Sequence, residues 1–231
     1  MAEENVLKEG KLNYLRGNYS AALAFFLSLP SDSGADEVEV AYYLGLCYSK
    51  LKRYDEAMDY LEQVVTSGGE SNAQKERIFQ CRYILAVIYA ISGRRKPADF
   101  ELKKLLESGY KPSLIYSSMA YLAWENEEVD EALEYYTKAL DEDENNPTAL
   151  NGLGYVLACE NRDLTKALSC CKKALELEPD SAACLDSLGY VYYKIGLYSE
   201  AKKFLERAAA LSPGNLIIQE HITQVEQDRN L

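Results

Sequence analysis

The chain has 231 residues, 48% of them hydrophobic and 27% charged, with 13 glycines and 6 prolines; this is ample apolar material for a core and excludes a disordered or collagen-like chain. Its formal net charge of −12 sets an acidic surface against any phosphate backbone, so nucleic acid is not an expected partner. The longest apolar run, Tyr83 to Ile91, falls far short of the ~20 residues that cross a bilayer, and the acidic start Met1-Ala2-Glu3-Glu4-Asn5 lacks the layout of a signal peptide, so no direct membrane insertion is expected and the expected compartment is the cytoplasm, or the periplasm if an export signal belongs ahead of Met1.

In chain order the sequence reads as a run of paired amphipathic helices. The first pair, about 3–37, has Gly10 on its first helix, Gly17 in the turn and Ala22 on its second. The second, 38–71, sets Leu44, Gly45 and Tyr48 against Ala57 and Leu61. An insertion, Ser67-Gly68-Gly69-Glu70-Ser71, follows, with Ser71 placed to cap a lengthened helix beginning Asn72-Ala73-Gln74-Lys75. The third pair, 79–112, sets Leu85, Ala86 and Tyr89 against Ala98 and Leu102 around Gly93. The fourth, 113–146, carries Ala120 and Ala132; the fifth, 147–181, carries Leu153, Gly154 and Ala167 with Asn161 in the turn. The sixth, 182–215, sets Leu188, Gly189 and Tyr192 against Ala201 and Leu205 around Gly196. A last segment, 216–228, aligns Ile218, Ile222 and Val225 opposite Glu220, Gln224, Glu226 and Gln227, the pattern of a helix that covers the open end of an array.

Two small positions therefore recur. Gly10, Gly45, Ala86, Ala120, Gly154 and Gly189 are spaced 35, 41, 34, 34 and 35 apart, and Ala22, Ala57, Ala98, Ala132, Ala167 and Ala201 keep the same rhythm. Two antiparallel helices approach closely only where each presents a small residue to the other. A period near 34 with these positions resembles the tetratricopeptide repeat family over nearly the whole chain. Leu-Asp-Ser-Leu-Gly-Tyr-Val-Tyr-Tyr at 185–193 is the clearest stretch and is most similar to bacterial members, while Asn13, Ala120 and Ala123 depart from the pattern. The resemblance implies an all-α fold: a right-handed α-solenoid of six helix-turn-helix units plus a capping helix, forming a single superhelical domain over 1–231.

The resemblance also implies that the first helix of each pair lines the inner, concave face. In this frame Leu7, Tyr14, Tyr42, Leu46, Tyr83, Val87, Tyr121, Trp124, Tyr155, Tyr190 and Tyr193 fall there, with Lys11, Lys50, Glu125, Asn151, Asp186 and Lys194 among them. Many of the 19 tyrosines are packing residues, such as Tyr48, Tyr89 and Tyr192 between helices. The inner aromatics are not required for that packing. Tyr42, Tyr83, Tyr121, Trp124, Tyr155, Tyr190 and Tyr193 are thus the candidate partner-binding residues, because amphipathic rings in a groove supply contact area at low entropy cost. Family members that grip the C-terminal carboxylate of heat-shock chaperones use a Lys/Asn/Arg clamp; the matching positions here are mostly Tyr, Leu, Val and Ser, so that specificity is not expected.

No catalytic constellation is visible. His221 is the only histidine and is expected on the capping helix, away from the inner face. There is no Gly-rich phosphate loop and no Ser/His/Asp set, and the run Asp141-Glu142-Asp143-Glu144 lacks calcium-loop spacing. The six cysteines form no C-x-x-C, which argues for buried free thiols and against zinc. No cofactor, metal or enzymatic activity is expected. The expected function is a scaffold or adaptor that binds a peptide segment or protein surface in the aromatic groove; the alternatives are a self-assembling structural protein, hence a homo-oligomer, and a small-ligand receptor accessory to an envelope transport system.

Overall fold

A computed structural model describes residues 6–228. Thirteen α-helices account for about three-quarters of them: α1 Lys8–Leu15, α2 Tyr19–Leu27, α3 Glu37–Lys50, α4 Tyr54–Thr66, α5 Asn72–Ile91, α6 Arg95–Glu107, α7 Pro112–Glu125, α8 Val129–Glu142, α9 Pro147–Cys159, α10 Leu164–Leu177, α11 Ala182–Lys194, α12 Tyr198–Leu211 and α13 Leu216–Asp228. They gather into two compact units, α1–α6 ending at Tyr110 and α7–α13 beginning at Lys111. Within each unit a helix packs on its pair mate, on the first helix of the next pair, and on little else.

The small residues make this pairing work. All six alanines of the second series, from Ala22 to Ala201, are fully shielded from solvent. A Cβ added to Gly154 would fall 2.9 Å from the carbonyl oxygen of Ala167 and against Cys171 Sγ. One added to Gly189 would fall 3.2 Å from the carbonyl oxygen of Ala201, so the two series meet each other across each of these pairs. Large side chains close the remaining space: Leu61, Leu85, Leu102, Leu153, Leu185 and Leu205 are each at most 2% exposed. Burial of one such side chain contributes about 2 kcal/mol.

Helix ends follow the sequence signals. The Ser71 hydroxyl accepts the Gln74 N–H at 3.2 Å while the Gln74 side chain accepts the Ser71 N–H at 3.1 Å, a reciprocal cap that starts the 20-residue helix α5. Arg77, in the added turns, pairs with Glu39 and so moors this extension to α3. Gly17, Gly93, Asn161 and Gly196 take positive φ in the turns, as expected; Lys52 and Glu127 do the same in the other two, where a β-carbon makes that conformation costlier.

Two inner-face expectations need correction. Leu7 is 1% exposed and Leu46 4%, so both are core residues. Leu7 packs in the hydrophobic cluster of the first unit, and Leu46 is carried by α3, which packs against both α4 and α5. At the other end α13 caps as its stripe predicts: Ile218 packs with Leu185 and Ala208, and Val225 with Ala201 and Leu205.

Candidate functional site

In the first unit, Tyr42 and Tyr83 stand on α3 and α5, both half-buried. The Tyr42 ring meets Tyr43 edge-on at 5.1 Å, and its hydroxyl donates to Gln80 Oε1 at 2.6 Å. Burial, followed by the neighbouring Cys81 and tyrosines, pushes its phenol pKa well up. Beside it the Glu39 carboxylate lies 3.0 Å from Lys11 Nζ and 2.5 Å from Arg77, which links α1, α3 and α5. These contacts make Tyr42 a packed, hydrogen-bonded part of the wall.

In the second unit the remaining candidates come together. Trp124 meets Tyr155 edge-on at 6.3 Å, Tyr155 meets Tyr190 at 5.7 Å, and Tyr190 meets Tyr193 at 5.8 Å, a continuous line of rings across α7, α9 and α11. Trp124 and Tyr190 are partly buried against the core. Tyr121 is 52% exposed. Its phenol is held above its ordinary pKa by burial, then by the charge of Glu125 and a hydrogen bond to it. The Tyr155 hydroxyl is hydrogen-bonded to Cys159, and burial raises its pKa further. Tyr193 donates to Asp228 at 2.7 Å, and that bond, with burial, pushes its pKa up to about 12.

His221 overturns the expectation that it lies away from the inner face. It is 5% exposed, its Nδ1 meets Asp186 Oδ1 at 2.9 Å, and its ring stacks on Tyr190 at 4.3 Å. It also stands 6.1 Å from Tyr155. Packing Ile218 and Val225 into α11 and α12 turns the intervening position 221 toward the line of rings, a consequence of three- and four-residue helical spacing. The rings of Tyr155 and Tyr190 are therefore partly covered by the chain's own last helix.

One further residue is out of balance. Asn151 Oδ1 is buried and is the one buried side-chain nitrogen or oxygen among the described residues without a hydrogen-bond partner. Asn151 lies one turn ahead of Tyr155 on α9 and so shares its inner face. Next to it, Gly152 receives the Tyr136 ring: a Cβ there would fall 2.5 Å from the Tyr136 hydroxyl. The buried Tyr136 in turn feels Tyr121 and Glu125, so these groups form one neighbourhood. No group of three or more His, Cys, Asp or Glu among the described residues is placed to hold a metal ion, and no helix is long and apolar enough to cross a membrane.

Helix pairs at a near-constant period, joined through small residues and stacked neighbour on neighbour within each unit, define an all-α fold of the helical-repeat, solenoid class. A tetratricopeptide repeat model matches residues 118–182, and a second model of the same repeat matches 38–66 and 182–215, together more than half of the chain. The chain belongs to the tetratricopeptide repeat family. Members of the family are generally non-catalytic interaction modules. A search of curated proteins finds no significant match to the sequence. Among solved structures, a tetratricopeptide repeat protein from Parabacteroides merdae superposes with a TM-score of 0.72 at 14% identity, over 96% of this chain and 83% of its own. A chain of the APC/C hetero-tetramer Cut9-Hcn1 gives 0.73 at 14% identity over 95% of this chain, which spans only 42% of that chain. YrrB, a tetratricopeptide repeat protein with an unusual peptide-binding site, gives 0.52 at 18% identity over 80% of this chain and 91% of its own. At these identities the likeness is one of fold.

Proposed function

We propose that this protein is an interaction scaffold or adaptor, without catalytic activity, that holds a peptide segment or a protein surface on the aromatic inner face of its repeats. The observation that carries this reading is the line Trp124–Tyr155–Tyr190–Tyr193 in the second unit, flanked by the exposed ring of Tyr121. Exposed tyrosine offers a large, rigid contact with one polar tip, the chemistry of an interface anchor. That YrrB, a neighbour in fold, has a peptide-binding site is consistent with this reading.

Affinity capture from native extract tests the reading, with the intact protein beside Tyr121→Ala and the triple variant Tyr121→Ala, Tyr155→Ala, Tyr190→Ala. The single variant removes only a half-exposed ring and leaves the His221 contacts whole, so it separates lost binding from lost folding. Partners retained by the intact protein and lost by Tyr121→Ala at unchanged helicity are the expected result. Undiminished capture by both variants would sink it.

A further inference from the structure

The repeat places a polar side chain at the same inner position of α9 and of α11, and only the α11 acceptor has its hydrogen bond. Asn151 and Tyr155 on α9 occupy the positions that Asp186 and Tyr190 hold on α11, 35 residues later. On α11 the acceptor is satisfied from within: His221 Nδ1 lies 2.9 Å from Asp186 Oδ1, with the imidazole stacked on Tyr190 at 4.3 Å and 30°. The α11 subsite thus takes a planar N–H donor lying flat on a tyrosine. On α9 the equivalent acceptor, Asn151 Oδ1, is buried with no donor at all. An acceptor in that state costs free energy until a donor arrives.

The register between α7 and α9 shows what surrounds it. Ser117 Oγ receives Asn146 Nδ2 at 3.4 Å near one end, and Trp124 meets Tyr155 at 6.3 Å near the other. Tyr121 and Asn151 occupy, two repeats earlier, the positions of Tyr190 and His221, whose rings stack, so the repeat sets Tyr121 opposite Asn151. Tyr155 is already flanked by Trp124 and Tyr190, so Tyr121, 52% exposed, offers the free stacking face. Glu125, one turn further along α7, is exposed and carries no ion pair among the described residues. The subsite therefore holds acceptors, a carboxylate and an aromatic face, with no cation. The wider field agrees: from Lys111 onward the sequence has 21 Asp and Glu against 11 Lys and Arg, whereas the part before it is nearly balanced, with 16 against 14.

Resting on the reading of the inner face as the binding surface, we propose that the α7–α9 seam is an arginine subsite for a basic peptide segment. The guanidinium stacks on Tyr121, donates to Asn151 Oδ1 as that ring swings outward, and pairs with the Glu125 carboxylate. Arginine suits the site because it is planar, always charged and presents several donors at once. Lysine lacks the flat face, and an acidic peptide meets only acceptors and like charge.

Fluorescence anisotropy with a labelled nonapeptide, Gly-Ser-Gly-Arg-Leu-Arg-Gly-Ser-Gly, tests this against the same peptide with citrulline, the neutral isostere, in place of arginine. The protein should prefer the arginine peptide by at least about tenfold, and Asn151→Leu and Glu125→Gln should each weaken it by about tenfold. Glu176→Gln, which removes the same charge from exposed α10, should leave binding unchanged. Asn151→Asp keeps the acceptor, adds a charge and should tighten binding several-fold, which covers the case of a poorly folded Asn151→Leu. No arginine preference, no binding of the arginine peptide, equal losses in Glu125→Gln and Glu176→Gln, or no gain in Asn151→Asp overturns the proposal. Equal binding of both peptides that Tyr121→Ala abolishes removes the arginine assignment and leaves the aromatic surface standing. Failure of that surface itself is read from the capture experiment.

Discussion

His221 lies flat on Tyr190 while its ring nitrogen holds Asp186, so one side chain of the last helix satisfies both the aromatic and the acidic group of the preceding pair. Asp186 is only 7% exposed, and a buried carboxylate stripped of its partner keeps its desolvation cost. His221→Ala should therefore lose about 2–4 kcal/mol of stability, measured by urea unfolding. The amides of α13 should lose hydrogen-exchange protection in the same variant. A loss below about 0.5 kcal/mol would mean that water reaches Asp186 and that the contact is incidental.

Gly154→Ala should be far more damaging than the same change in an open helix. The added methyl meets backbone, the Ala167 carbonyl oxygen at 2.9 Å, and neither helix can yield without parting from the other. A loss of about 2–3 kcal/mol is expected by thermal or urea unfolding. Gly45→Ala meets chiefly the Leu61 side chain, Cδ2 at 2.8 Å and Cγ at 2.9 Å, with the Leu61 backbone nitrogen farther off at 3.3 Å, and should cost roughly half as much. Equal costs at the two sites would contradict the close backbone approach in the fifth pair.

Asn151→Leu should stabilise the free protein. It removes the orphaned acceptor and replaces it with an apolar group of similar size, for an expected gain of about 1 kcal/mol and a Tm rise of a few degrees. A lower Tm would indicate that the amide already has a partner in solution.

Native thiol reactivity should be confined almost to one site. Five of the six cysteines are buried and Cys159 is half-buried. Burial holds the pKa of Cys47 at about 11 and that of Cys81 at about 12, so both are thiols and not thiolates at pH 8. Iodoacetamide at pH 8 should modify Cys159 first, slowly because burial raises its pKa too, and all six only after unfolding. Raising the pH toward 10 should quicken Cys159 well before Cys47 or Cys81. Rapid native labelling of Cys171 would contradict the packing of the fifth pair.

The sequence was most informative where packing geometry restricts residue size. Gly154 and Ala167, like Gly189 and Ala201, are small because their backbones nearly touch, and small residues stand at the matching positions of every pair, so period and pairing can be read without coordinates. The stripe Ile218, Ile222 and Val225 announced the last helix for the same reason. What lay between those apolar positions was harder to read. Whether position 221 faces water or Tyr190 depends on how α13 is rotated against α11, which period alone does not specify. Leu7 and Leu46 were misplaced because inner-face membership was judged one helix at a time, while the neighbouring helix decides what stays exposed. Asn151 had a legible signal, its 35-residue relation to Asp186, but the missing donor is a property of three-dimensional contacts.

Packing in each unit runs almost wholly between helices that are adjacent or next but one in the chain. No pair depends on a distant segment to complete its core, so copying or deleting a pair disturbs the contacts of its immediate neighbours alone. Copy number is thereby an independent variable in the history of such a molecule. Gene-level duplication can lengthen the surface it offers without inventing a new fold, and each copy is then free to diverge at a few inward positions, as Asn151 and Asp186 have done.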